Sequence, residues 1–126
     1  MELNELDVVK ISSHTHTHSI LNQIEEDAIL RELQHSKDII ETLIGTDVDS
    51  ICYPEGKFNR KTINIAHLVG YKKQYSSLPG FFSNKFENNV IRRSLVQFST
   101  KKEFSAIIKG GDHILALWYR LKHFKK

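Results

Sequence analysis

Six consecutive residues, Ser13-His14-Thr15-His16-Thr17-His18, hold three of the seven histidines in the sequence. His14 and His18 are four positions apart, so on one helical turn their imidazoles point the same way. Imidazole is the commonest metal ligand among side chains, and two at this spacing fill two corners of a tetrahedral zinc shell. A hydrolytic site adds a third protein ligand, often a carboxylate, and leaves the fourth position to water. The metal lowers that water's pKa to about 7, which makes hydroxide available at neutral pH. In an extended strand, by contrast, His14, His16 and His18 share one exposed face, and a His-rich tract also binds metal adventitiously. The spacing alone leaves these readings open.

A second segment with chemical potential is Ile51-Cys52-Tyr53-Pro54-Glu55-Gly56, which follows the pattern of a strand broken by a Pro-x-Gly turn. In parallel α/β sheets, sites gather at the C-terminal ends of strands. A turn there can aim backbone N–H groups at a developing oxyanion. The competing reading is an ordinary strand-to-helix turn. A third segment, Trp118 to Lys126, interleaves aromatic and basic residues. It reads as a packed helix with a solvated basic tail, or as a contact for an anionic membrane surface or polymer.

Positioning these residues takes alternating elements. Leu6 to Ser12 is rich in β-branched residues and predicts a short buried strand, with His14 to Ser19 as the loop after it. Ile24, Ala28, Leu33, Ile40 and Ile44 recur at helical spacing, widened by Ile29 and Leu43, and Gly45 ends the pattern. Asp49 to Tyr53 predicts a second strand, and Asn59 caps a helix through Leu68 that Gly70 ends. Tyr71 to Ser76 and Val90 to Phe98 predict further strands. Thr100 with Glu103 forms a capping box for a helix through Lys109, and Ile114 to Phe124 predicts a last amphipathic helix after Gly110-Gly111. Strand, helix, strand, helix, strand is the order of βαβ units with a parallel sheet. An edge strand beside the N-terminus is exposed unless covered, so the 126 residues read as one partial α/β domain.

Composition narrows the partners. The chain is 40% hydrophobic and 26% charged, which fits a globular domain and excludes disorder. Lys and Arg exceed Asp and Glu by 18 to 15, a net charge of +3 that permits an anionic partner without arguing for one. A nucleic-acid partner would rest on this mild charge alone, so none is expected. Cys52 is the only cysteine, which excludes an intrachain disulfide. The acidic start has no basic n-region or apolar h-region, and no apolar run approaches the roughly 20 residues of a membrane span. A cytoplasmic location is the resulting expectation.

The histidine tract and the Pro-Glu-Gly turn together resemble a known family. Ile11 to His18 is similar to the His-Thr-x-x-His metal motif of polysaccharide deacetylases with the NodB homology domain, carbohydrate esterase family 4. Ile51 to Asn59 resembles the strand-end motif found downstream in that family, in a Tyr-Pro-x-Gly form. The Ile24–Ile44 helix falls between them as such proteins have it. Gly70-Tyr71 through Ser76-Ser77-Leu78-Pro79-Gly80 resembles the following strand and loop, and Asn89 to Ser94 the strand with an arginine after that.

The resemblance implies a distorted (β/α) barrel holding zinc or another divalent metal. It also implies removal of N-acetyl, less often O-acetyl, groups from sugars such as N-acetylglucosamine polymers. Residue by residue, His14 and His18 match the two histidine ligands and Thr15 the hydroxyl residue between them, while His16 has no matching role. Tyr53, Pro54, Glu55 and Gly56 match the substrate and oxyanion turn. His113, in Asp112-His113-Ile114, is the candidate general acid.

The sequence also departs from the family. Its Thr-Phe-Asp-Asp motif, source of the third ligand and the general base, has no counterpart, for no Asp-Asp occurs in the chain and Asp7 does not match. Glu55 replaces an aromatic residue or Asn, and Cys52 stands where many members carry the arginine of Arg-Pro-Pro. The expectation is a partial barrel lacking its first strands, with loosely held metal and weak or no activity alone. An acetylated carbohydrate is the expected substrate, and a chain carrying the missing N-terminal half the expected partner. The alternative is a non-catalytic module binding carbohydrate or an anionic polymer.

Overall fold

The computed structural model describes residues 9–78, 90–93 and 100–111. A 19-residue helix, α1 (Glu26–Ile44), precedes a strand β1 (Ser50–Cys52), a helix α2 (Arg60–Val69) and a strand β2 (Lys73–Ser76). Strand β3 (Val90–Arg92) and a short helix α3 (Lys101–Ala106) complete the strands and α-helices among the described residues.

Local chemistry accounts for the helix ends. Glu26 and Asp27 lie in the first turn of α1, where carboxylates complement the helix dipole. Gly45 ends it in the left-handed conformation, its N–H bonded to the Glu41 carbonyl. In α2 the Asn59 side chain accepts from Thr62 N–H while the Thr62 hydroxyl accepts from Asn59 N–H, a reciprocal cap. The box expected from Thr100 and Glu103 is formed as well. The helix it starts leaves α geometry at Ala106, short of Lys109, and widens into a π turn over Ile107–Gly111.

Strand order is β1-β2-β3, every pair parallel, with Cys52 opposite Tyr75 and Tyr75 opposite Ile91. Parallel neighbours require crossovers, and α2 supplies the one from β1 to β2. On the free side of β1, Ser13 makes an isolated parallel bridge to Ile51, through Ser13 N–H to Ser50 O (3.0 Å) and Cys52 N–H to Ser13 O (2.9 Å). Of the strand expected over Leu6–Ser12, the described residues Val9–Ser12 form no ladder; pairing begins at Ser13, one residue later. The strand expected over Val90–Phe98 is described as far as Arg92. Asp7, His113 and the segment from Ile114 lie outside the described residues.

Ile29, Leu33 and Ser36 turn the buried stripe of α1 onto Val48, Ile51, Tyr53, Ala66 and Tyr71, while α1 also packs on α2. The fully buried Tyr71 donates its hydroxyl to the Leu33 carbonyl (3.0 Å), tying the chain after α2 to mid-α1. Leu43 is not part of the stripe: 76% exposed, it lies in the last turn, where Ile40 and Ile44 already line the edge of the core. No helix among the described residues is long and apolar enough to cross a membrane.

Candidate metal centre

The histidine tract leaves the sheet at Ser13 and is held by side chains from α1. Buried Ser13 shares a hydrogen bond with the hydroxyl of buried Ser36 (2.8 Å) and accepts one from Thr15 N–H (3.2 Å). Thr15 (φ 69°) and His18 (φ 61°) are both left-handed, so the tract is a loop and not the helical turn that the four-residue spacing suggests. Each such residue costs about 1–2 kcal/mol, and the conformation persists only because neighbours over-determine it.

Glu32 is the main restraint. Its carboxylate accepts from His16 N–H (3.0 Å), Thr17 N–H (2.9 Å) and the Thr17 hydroxyl (2.8 Å). Burial raises the Glu32 pKa, but those hydrogen bonds outweigh it and hold the carboxyl below its ordinary range. Sequence reading missed Glu32, because its partners come from a different element and no local pattern links them.

The loop brings the exposed His14 and His18 together after all. Their ring centroids are 4.9 Å apart and their planes 70° from each other. His14 Nδ1 lies 2.6 Å from the Cys52 carbonyl, at the end of β1. A carbonyl only accepts, so Nδ1 carries the proton, and in the neutral ring the lone pair is left on Nε2. This is the outer support that fixes the tautomer of a metal-ligating histidine. The hydroxyl of Thr15, which follows His14 in the tract, is buried and has no partner among the described residues. The donor set therefore fits two ligands of a borderline-soft cation such as zinc. It is not a full set: among the described residues no three His, Cys, Asp or Glu side chains converge on one point.

The Pro-Glu-Gly turn follows directly from the residue that supports His14. Pro54 opens a single 3-10 turn in which Glu55 (φ 53°) and Gly56 (φ 66°) are left-handed. Its backbone donors are mostly committed. Tyr53 N–H goes to Tyr75 O, Gly56 N–H to Tyr53 O and Lys57 N–H to Pro54 O. Pro54 has none, so Glu55 N–H is the turn's one donor without a partner among the described residues.

Tyr53 is fully buried, its hydroxyl donated to Gln74 (2.5 Å) and its ring stacked on Phe58. Burial pushes its phenol pKa up. Its side chain supports the turn from beneath and does not reach solvent. The exposed Glu55 carboxylate pairs with Lys57 (2.6 Å), and that contact, with a smaller effect of His18, holds its pKa down.

One contact had no forerunner in the sequence reading. Arg93, just past β3, donates to the Cys52 sulfur at 2.6 Å. A guanidinium from just past β3 thus meets the strand end where the resemblance placed an arginine and the chain has Cys52. Burial raises the Cys52 thiol pKa, while Arg93 opposes the rise.

A parallel sheet with helices packed on it, and an imidazole pair at its strand exits, fits a partial α/β fold. The pattern of known proteins agrees. The family model for polysaccharide deacetylases matches residues 2–73. YxkH of Bacillus subtilis (strain 168), itself assigned to the polysaccharide deacetylases, is 29% identical over 72 residues, covering 57% of this chain and 26% of its own. The Streptococcus pyogenes deacetylase PplD, solved in complex with acetate, superposes with a TM-score of 0.68 at 24% identity, over 76% of this chain and 43% of that one. BC0361, a polysaccharide deacetylase from Bacillus cereus, gives the same TM-score at 24% identity, over 84% and 39%. The chain belongs to the polysaccharide deacetylase family, and its fold is the NodB type. It spans about a quarter of the length of the curated relative it matches.

Proposed function

We propose that the chain contributes the two-histidine side of a divalent-metal centre that removes acetyl groups from N-acetylated sugars. The observation that carries this reading is the supported pair: His14 held in one tautomer by the Cys52 carbonyl, with the His18 ring 4.9 Å away. Zinc bound there would act as a Lewis acid on an acyl carbonyl. Glu32 holds the loop, the Cys52 carbonyl orients His14, and Glu55 N–H is the donor available to a developing oxyanion. His113 is the proposed general acid.

No Asp-Asp pair occurs in the sequence, and no third ligand joins the pair among the described residues. The third ligand and the general base therefore come from outside these residues, and a chain carrying an Asp pair is the proposed partner. Without it the two histidines hold metal weakly and hydrolysis is slow or absent. That same shortfall favours a second reading, a non-catalytic module that binds carbohydrate or an anionic polymer through the remaining cleft.

Zinc titration separates the two. The protein should bind zinc at the His14–His18 pair, and His14→Ala should abolish binding there while leaving the fold unchanged by circular dichroism. If the purified chain takes up no metal at micromolar zinc and His14→Ala behaves identically, the hydrolase reading fails and the binding module stands.

A further inference from the structure

The three histidines of the tract do not act as one group. His14 and His18 stand together beside the end of β1, but the His16 ring stands edge-to-face against His35 of α1, centroids 4.3 Å apart and planes at 77°. Glu32, one helical turn before His35, fixes the backbone of His16 through its N–H. Asp38, about one turn after His35, accepts from the Gln34 amide (2.8 Å). These residues and Arg31 line a shallow cleft on the exposed side of α1.

We propose that His16 and His35 chelate a second divalent cation of borderline softness: zinc, nickel or copper(II). The two imidazoles come from different elements, and the anchored loop already holds them at close range, so binding requires little further ordering of the chain. Imidazole suits these metals, whereas magnesium and calcium demand oxygen donors. The carboxylates of Glu32 and Asp38 make the cleft favourable to a cation, and Arg31 offsets only one of those charges. No three potential ligands converge among the described residues, so the protein supplies two donors and water completes the shell.

The second site uses none of the ligands of the first, yet shares its loop. Metal at His16 and His35 stiffens the segment that carries His14 and His18, and by linkage each site strengthens the other. The proposal stands whether or not the deacetylase reading does.

Equilibrium dialysis of the whole chain against zinc tests it in a His14→Ala/His18→Ala background, where the first pair is gone. That variant should still bind zinc, and adding His35→Ala should abolish the binding. His35 is exposed on a helix, so alanine there preserves the fold. His16→Gln is the second variant: it deletes the ring but keeps the backbone N–H that Glu32 holds, and it should abolish binding too. Long-range 1H–15N spectra should show the His16 and His35 ring nitrogens shifting as zinc is added. Binding that survives both substitutions, or ring signals that do not move, overturns the proposal.

Discussion

Gly56→Ala measures how tightly the turn beside the histidine pair is built. Gly56 has φ +66°, a conformation that costs a residue with a Cβ about 1–2 kcal/mol. A Cβ placed there would lie 2.7 Å from the Ser77 hydroxyl, 2.9 Å from the Ser76 hydroxyl and 2.9 Å from Ser77 N. The Ser77 side chain can rotate away, but the backbone nitrogen cannot. Nor is the buried Ser76 hydroxyl free to move, since it donates to Gly56 O (2.9 Å) and accepts from Leu78 N–H (3.1 Å). Overpacking of this kind costs about 1–3 kcal/mol more.

The expected loss for Gly56→Ala is therefore about 2–5 kcal/mol, a large share of the roughly 5–15 kcal/mol that holds a domain together. Gly45→Ala is the internal control. Its φ is +69° and nothing lies within 4 Å of the added Cβ, so it should lose only the backbone strain, about 1–2 kcal/mol. Equilibrium urea unfolding followed by circular dichroism gives both values. If Gly56→Ala loses no more than Gly45→Ala, the turn is not packed against Ser76 and Ser77, and the argument from close approach is wrong.

Two further predictions concern buried polar groups and acid. Tyr53→Phe strands the Gln74 carbonyl oxygen in the core and should destabilise the protein by about 1–3 kcal/mol in the same urea assay; a neutral result would mean that Gln74 finds another partner. For pH, Glu32, Glu41 and Asp49 all have carboxyls held below their ordinary values. For Glu41 the leading cause is the hydrogen bond from Lys37, and for Asp49 that from Lys10. A depressed folded pKa contributes stability that is complete above the unfolded value and is lost as pH falls through the folded one. Stability should thus be level near neutrality and decline once pH drops below the ordinary glutamate value of 4.5. Glu41→Gln should flatten part of that acid limb in thermal melts across pH, and an unchanged limb would refute Glu41's share.

The elements were legible in sequence wherever the information is local. The period of Ile24, Ala28, Leu33, Ile40 and Ile44 specifies α1, Asn59 specifies the start of α2, and Gly45 and Gly70 specify two stops, because helix faces and caps involve residues within a turn or two. The histidine pair was legible as a residue choice but not as a conformation. Four-residue spacing suggested a helical turn, whereas two left-handed residues, Thr15 and His18, bring the rings together in a loop.

What holds that loop lies far along the chain. Glu32 on α1, the Cys52 carbonyl on β1 and Arg93 beyond β3 meet it or its support only once the sheet and its crossovers have formed. Pattern and capping chemistry act over a few residues and are written in the sequence. Which ring nitrogen is free, which histidine pairs with which, and which N–H of the turn stays unspent depend on contacts between distant segments. Only the packed tertiary structure decides those.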